Sequence, residues 1–166
     1  MTATISRPKI SNWETSNIPN LTGKTALITG ANSGLGYYTA KALAEKNAHV
    51  VIACRSLEKA NQTIKKLKGL NPEGLFTPLE LDLSDLKNIV EVQSKIFDNF
   101  ENLDLLINNA GIMHPPKTLS AQGYEIQFAV NHLAHMLLTL KLLPIIEKKE
   151  ESRIVTVTSG AQFFGK

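Results

Sequence analysis

The 166-residue chain lacks several features that mark specialised classes of protein. It has one cysteine, Cys54, so it cannot form an internal disulfide, and this is consistent with a reducing compartment. Its net charge of +3 is small, and its lysines are scattered without interleaved aromatics, which argues against a nucleic-acid surface. Its four histidines have no metal-ligand spacing with acidic or thiol partners, so the sequence predicts no metal site.

Long apolar runs are also missing. No run approaches the roughly twenty apolar residues that span a bilayer, and the longest, 136–146, is interrupted by Thr139, Lys141 and Pro144. The N-terminal residues are polar and contain no apolar core of the signal-peptide type. We therefore predict a leader over 1–21, a single dinucleotide-binding domain over 22–166, no transmembrane segment and a cytoplasmic location.

What the chain does contain is a regular alternation of strand and helix signals. Strands are predicted near 24–29, 48–54, 75–80, 103–108 and 152–158, and helices near 34–46, 56–69, 84–100 and 124–148. The second, fourth and fifth strands are nearly continuous apolar runs, as expected of parallel strands covered on both faces. Right-handed crossovers turn this alternation into a Rossmann-like, doubly wound parallel α/β sheet, with the ligand outside the carboxyl ends of the strands.

A glycine-rich turn, TGANSGLG over 29–36, joins the first predicted strand to the first predicted helix. Glycines let a pyrophosphate approach the backbone N–H groups, and the helix N-terminus adds partial positive charge. A plain loop is the alternative for the glycines alone, but the flanking strand and helix favour a nucleotide site. The predicted cofactor contacts are Gly30, Asn32, Ser33, Gly34, Leu35 and Gly36. Gly36 is also expected to let the helix pack tightly on the strand.

The end of the second strand bears on the choice between the two nicotinamide cofactors. An acidic residue about twenty positions past the glycine turn would bind a ribose 2′-OH, but this chain has Cys54-Arg55 there. A guanidinium can hold a 2′-phosphate through two hydrogen bonds. Arg55 therefore favours NADP over NAD, the alternative being a solvated loop residue.

With the preceding Thr29, the Gly-x3-Gly-x-Gly spacing of this turn resembles the short-chain dehydrogenase/reductase family. Further motifs follow in the family's order: Asp82-Leu83 after the third strand, Asn108-Asn109-Ala110-Gly111 after the fourth, the helix over 124–140, and RIVTVTS over 153–159. The helix resembles the branch that holds retinol dehydrogenases and related NADP-dependent reductases. The resemblance covers about 22–166 and implies the strand order 3-2-1-4-5.

The resemblance also implies roles for individual residues. In the family a tyrosine is the acid/base, a lysine lowers its pKa, a serine orients the substrate carbonyl, and an asparagine supports a water relay. Ser159 matches the serine and Asn131 the asparagine. The implied cofactor contacts are Asp82 and Leu83 at the adenine end and Asn109, Ala110 and Gly111 along the ribose. As alternatives, Asp82 and Ser159 are turn residues, and Asn131 is a polar group at a helix kink.

The family's Tyr-x-x-x-Lys motif has no match after Ser159. Tyr37 and Lys41 have that spacing, but they follow the glycine turn directly, where a solvated helix face is expected. The sequence therefore predicts the N-terminal portion of the domain, truncated after the fifth strand and inactive by itself. The fifth strand then becomes a sheet edge, and one side of the 124–148 helix lacks a cover. The family places a second helix and a neighbouring subunit there, which implies a homo-oligomer at full length.

The leading hypothesis is an NADP-dependent oxidoreductase that transfers a hydride between the nicotinamide and a carbonyl or alcohol. The resemblance to the retinol dehydrogenase branch implies an apolar small-molecule substrate. Two alternatives stay open. One is an enzyme like light-dependent protochlorophyllide reductase, and the other is a non-catalytic NADP-binding module.

Overall fold

The computed structural model describes residues 12–160, and its centre is one parallel five-stranded sheet. The strands are β1 (Thr25–Thr29), β2 (His49–Cys54), β3 (Phe76–Glu80), β4 (Leu105–Asn108) and β5 (Arg153–Thr156). They lie in the order β3-β2-β1-β4-β5, as the family resemblance implied. The chain therefore reverses direction across the sheet between β3 and β4, next to the central strand β1.

Helices connect the strands and cover both faces of the sheet, which confirms the predicted doubly wound architecture. They are α1 (Gly34–Ala44), α2 (Leu57–Leu70), α3 (Leu86–Asn99), α4 (Ile126–Phe128) and α5 (Ala134–Ile146), with a π-helix at Ala129–Leu133 and a 3-10 helix at Thr15–Asn17.

Two apolar cores lie on opposite faces of the sheet because successive strand residues point in opposite directions. In β1, Leu27 joins the core under α3 and α5, whereas Ala26 and Ile28 join the core under α1 and α2. All three are fully buried. This two-sided burial explains why the central strands are continuous apolar runs in the sequence.

Two local details differ from the sequence-based expectation. The helix expected over 124–148 is divided by the π-helix at Ala129–Leu133. The helix expected near 84–100 begins later, at Leu86, where the Asp85 side chain accepts the Lys87 N–H. At the start of α2, the Ser56 side chain accepts the Lys59 N–H.

The stretch Ile126–Ile146 has the length and apolar composition to cross a membrane, which the sequence analysis did not expect. In the fold it behaves as a core helix on one side, with Leu138, Leu142 and Ile145 fully buried against the sheet and α3. Its other side is exposed at Met136 and Leu140. Helices buried in soluble domains also pass a test of length and composition.

Most of residues 12–21, the described part of the predicted leader, are exposed, but this segment contacts the domain at its C-terminal end. The Leu21 N–H donates to the Lys46 carbonyl at 2.7 Å, and Ile18 and Leu21 pack on the core under α1 and α2. The predicted domain boundary at residue 22 stays a prediction. At the far side of the sheet β5 is an edge strand within the described residues, and Ile154 and Val155 are exposed on it.

Candidate cofactor site

The glycine turn leaves the carboxyl end of β1 and enters α1. Gly30 and Gly34 have positive φ angles of 65° and 54°, a backbone region that favours glycine. A Cβ on Gly34 would meet nothing within 4 Å, so the space beside the start of α1 is open. Within the described residues the Ser33 side chain does not cap this helix, so the first N–H groups of α1 have no side-chain acceptor from their N-cap.

Position 36 has no room for a side chain, because the Gly30 backbone and the Asn109 side chain both approach it closely. A Cβ there would lie 2.5 Å from the Gly30 carbonyl oxygen and 2.5 Å from Asn109 Nδ2. The sequence analysis expected Gly36 to let the helix pack on the strand. The close partners are instead the turn that leaves the strand and the loop after β4.

Thr29 joins the ends of β1 and β4. Its Oγ1 accepts the backbone N–H groups of Asn109 and Ala110, both at 2.9 Å, and its carbonyl accepts Asn109 Nδ2 at 2.8 Å. The glycine turn and the Asn109–Gly111 loop are therefore held as one unit. A Cβ on Gly30 would lie 3.0 Å from Ala110, so the two segments also touch.

A cavity of about 470 Å³ opens at the carboxyl ends of β1, β2, β3 and β4. Seven of the predicted cofactor residues line it, namely Gly30, Asn32, Arg55, Asp82, Leu83, Ala110 and Gly111. They come from four separate loops that are far apart in the sequence. The structure thus brings the end of the glycine turn, the cation after β2 and the loops after β3 and β4 to one place.

The other predicted site residues do not line the cavity: Ser33, Gly34, Leu35, Gly36, Asn109, Asn131 and Ser159. Ser33, Gly34 and Leu35 are exposed at the start of α1. Gly36 and Asn109 lie behind the turn, where they support it.

Lys59 is a cavity residue that the sequence analysis missed. It lies in the first turn of α2, four positions after Arg55, and both residues line the cavity. The sequence does contain a signal for Lys59: it is a second cation, four positions after Arg55 and near the start of a predicted helix. Two cations beside one cavity favour an anionic group there.

Cys54 lies at the same strand end, in surroundings that disfavour its thiolate. Burial raises the pKa of its thiol, and the nearby Ser56 carbonyl accepts the S–H at 3.3 Å. The nucleophilic form of cysteine is the thiolate. Cys54 therefore packs as a small apolar residue at the cavity wall.

Asp82 is a turn residue, one of the two roles that the sequence left open, and its contact with a cofactor stays a prediction. Its Oδ1 accepts the Ser84 N–H at 2.9 Å and the Ser84 hydroxyl at 2.7 Å, which makes it a turn residue before α3. Asp82 also lines the cavity, together with Leu83.

Asn131 lies in the π-helix and binds the loop after β4. Its Nδ2 donates to the Ile112 carbonyl at 2.9 Å, and its Oδ1 accepts the Ile112 N–H at 2.9 Å. Asn131 is thus the polar group of an interrupted helix, one of the alternatives considered above. Ser159 is exposed and follows the end of β5 by three residues. Its strand pairs with β4, whose loop Asn131 holds.

Tyr37 and Lys41 do not form a catalytic pair. Lys41 Nζ is 3.5 Å from Glu45 Oε1 on the solvent face of α1. Tyr37 is half-buried against the core under α1 and packs edge-to-face with Tyr38. Lys41 agrees with the expected solvated face, whereas Tyr37 contributes to packing.

The two histidines that are three positions apart separate in the structure. His132 is exposed and stacks on Phe128 at 5.3 Å between ring centres. His135 is buried beside Thr29, and burial lowers the pKa of its imidazole. Among residues 12–160 no group of three potential metal ligands is found.

Comparisons with known proteins agree with this geometry. The family model for short chain dehydrogenase matches residues 24–166. Human retinol dehydrogenase 13 is 41% identical over 143 residues, which cover 86% of this chain and 43% of that protein. Human retinol dehydrogenase 11 is 38% identical over 160 residues, which cover 96% of this chain and 50% of that protein. The chain therefore spans about half the length of these curated relatives.

A solved structure with bound cofactor has the same fold. A protein from Escherichia coli CFT073, described as a short chain dehydrogenase and complexed with NADPH, superposes with a TM-score of 0.76 at 26% identity. The match covers 89% of this chain and 63% of that one. The glycine turn, the strand order and these relatives lead to one assignment: the chain belongs to the short chain dehydrogenase family.

Proposed function

We propose that this chain forms the NADP-binding part of an oxidoreductase. The observation that carries the proposal is the cavity at the carboxyl ends of β1–β4, which has glycine-turn residues at one wall and Arg55 and Lys59 at another. Open space beside Gly34 and uncapped N–H groups at the start of α1 suit a pyrophosphate. The residues present therefore fit a dinucleotide.

The two cations support NADP as the dinucleotide. A 2′-phosphate adds negative charge at the ribose, and the Arg55 guanidinium can bind two of its oxygens while Lys59 adds a point charge. Asp82 and Leu83 would contact the adenine end, and Asn109 to Gly111 would line the ribose. The NADPH complex of the family member from E. coli supports the same cofactor class.

For the whole protein we propose hydride transfer between NADP and a carbonyl or alcohol. The bound nicotinamide supplies the hydride chemistry. Ser159 would orient the substrate oxygen, and Asn131 would position the loop after β4. The tyrosine and lysine that complete the family's machinery have no match at the family's position in these 166 residues, so we propose that these residues alone do not turn over substrate. The retinol dehydrogenase relatives favour an apolar substrate.

Two measurements test the proposal in sequence. Fluorescence titration with NADPH and NADH should show tighter binding of NADPH, and absence of NADPH binding would overturn the cofactor proposal. NADPH oxidation by the full-length protein with a series of apolar aldehydes tests the reaction. Tight NADPH binding without turnover of any carbonyl would instead identify a non-catalytic binding module.

A further inference from the structure

The Thr29 hydroxyl has four polar neighbours, but its oxygen can accept only two hydrogen bonds. The side chain is fully buried, and its Oγ1 accepts two backbone N–H groups, those of Asn109 and Ala110. A hydroxyl has two lone pairs and one hydrogen. Both lone pairs are therefore in use, and the hydrogen must be donated to a third group, because a buried hydroxyl without a partner costs free energy.

Two acceptors are within reach of that hydrogen. The Ile107 carbonyl lies 3.5 Å from Thr29 Oγ1, and His135 Nε2 lies 2.9 Å from it. Hydroxyl donors normally lie about 2.5–3.0 Å from their acceptor. His135 Nε2 is the partner that fits this length, and it can accept only when it carries no proton.

The other ring nitrogen of His135 supports this assignment. Its Nδ1 lies 3.3 Å from the Asn131 carbonyl oxygen, an acceptor without a hydrogen of its own. Nδ1 must then carry the proton, which leaves Nε2 as the acceptor in a neutral ring. The two contacts of the ring independently require the same tautomer.

We propose that His135 is a positioning residue for the cofactor site: by accepting the Thr29 hydroxyl hydrogen, it directs both lone pairs of that oxygen to the Asn109–Ala110 turn. This inference rests on the proposed NADP-binding function, since Ala110 and Gly111 line the proposed cofactor cavity. Without the His135 acceptor, the hydroxyl hydrogen has only the distant Ile107 carbonyl. Thr29 Oγ1 would then turn away from the two N–H groups that it holds.

Three substitutions test the roles of the two imidazole nitrogens separately. His135→Gln places an oxygen near the position of Nε2 and can still accept from Thr29. His135→Asn reaches only the position of Nδ1, and His135→Phe keeps the ring shape without either nitrogen. The change His132→Gln is the matched control, because that histidine is exposed on the neighbouring π-helix.

NADPH affinity should depend on whether residue 135 has an acceptor for the Thr29 hydroxyl, and not on whether it has an aromatic ring. We expect the Asn and Phe variants to bind NADPH about 2- to 12-fold more weakly, the range that corresponds to one hydrogen bond. The Gln variant and the His132→Gln control should stay within about twofold of wild type by the same measure. Equal losses in the Gln and Asn variants would overturn the proposal, even if the Phe variant fails to fold.

The tautomer gives a second readout that does not depend on NADPH. In protein labelled with ¹⁵N-histidine, the His135 ring should show a protonated Nδ1 and an unprotonated Nε2 at neutral pH, identified by its absence from the Gln variant. A protonated Nε2 would overturn the positioning role while leaving NADPH binding intact. If the cofactor proposal itself is wrong, the wild-type protein will not bind NADPH, but His135 will still show the same tautomer.

Discussion

Arg55 is exposed at the cavity wall after β2, where the choice of cofactor is proposed to lie. Changing Arg55 to Asp should remove a charge-assisted contact and add repulsion toward a 2′-phosphate. We expect NADPH binding to weaken by about 1.5–3 kcal/mol, the worth of hydrogen bonds to charged groups. NADH binding should hold or improve, as measured by parallel titrations.

The control for this change is Lys65→Asp, which alters the net charge equally on the exposed face of α2 outside the cavity. It should leave the preference for NADPH over NADH unchanged. An unchanged preference in the Arg55 variant would show that Arg55 is only a solvated loop residue.

Gly36 and Gly69 are both in helices, but a methyl group would meet different surroundings at the two positions. At Gly36 the added carbon would lie 2.5 Å from both the Gly30 carbonyl oxygen and Asn109 Nδ2, whereas at Gly69 nothing lies within 4 Å. We expect Gly36→Ala to lower the free energy of unfolding by about 1–3 kcal/mol and to weaken NADPH binding. Gly69→Ala should raise stability by about 0.5–1 kcal/mol.

Urea denaturation of both variants measures this contrast. If Gly36→Ala were as stable as wild type, the glycine turn could move away from Asn109 at no cost. The close approach would then not define the geometry of the turn.

Asp104 connects the amino ends of three neighbouring strands, on the side of the sheet opposite the cavity. Its side chain is 5% exposed. Its Oδ2 accepts the Thr25 N–H and Asn102 Nδ2, both at 2.9 Å. Its Oδ1 lies 3.1 Å from Lys24 Nζ, and its backbone carbonyl accepts the Arg153 N–H at the start of β5. The hydrogen bond and charge of Asp104 raise the pKa of Lys24.

Removing this carboxylate should destabilise the sheet without changing the cofactor site. For Asp104→Ala we expect a loss of about 1.5–3 kcal/mol in the free energy of unfolding, since buried N–H groups lose a charged acceptor. Glu151, the other carboxylate near Lys24, is 83% exposed, so Glu151→Ala should change stability by less than about 0.5 kcal/mol. NADPH affinity should stay at the wild-type value in both variants.

How far the sequence predicts each element depends on the range of the contacts that shape it. The strands follow from continuous apolar runs, and the glycine turn follows from its place between β1 and α1. The π-helix cannot be predicted from a local pattern, because its Asn131 binds Ile112, which is 19 positions away. The Thr29–His135 contact joins residues 106 positions apart. No local pattern contains either contact.

Two histidines, His135 in the core and the half-buried His49, couple the stability of the whole domain to pH. Burial lowers the pKa of both His49 and His135 from the ordinary value of 6.5. Between 6.5 and these lower folded-state values, the unfolded chain binds more protons than the native state, so stability falls as pH falls. Above about 6.5 this effect is absent, and below the folded-state pKa values it levels off.

Urea midpoints measured from pH 8 to pH 5 should therefore decrease on the acid side, and the double variant His49→Gln/His135→Gln should show a flatter profile. Asp85 and Glu125 cannot account for this window, because hydrogen bonds lower the pKa of both carboxyls below their usual acidic range. An identical slope in the double variant would assign the pH dependence to other groups.

The contact between Thr29 and Asn109 spans 80 positions of the chain and has a consequence for synthesis on the ribosome. At about 5–20 residues per second, some 4–16 s pass between the addition of Thr29 and the addition of Asn109. During this interval β1 and β2 exist without β4, so the future central strand is an open edge of the nascent sheet. The glycine turn cannot take its final geometry until the loop after β4 arrives. The proposed NADP site therefore cannot stabilise the first three strands of the nascent chain until Asn109 has been added.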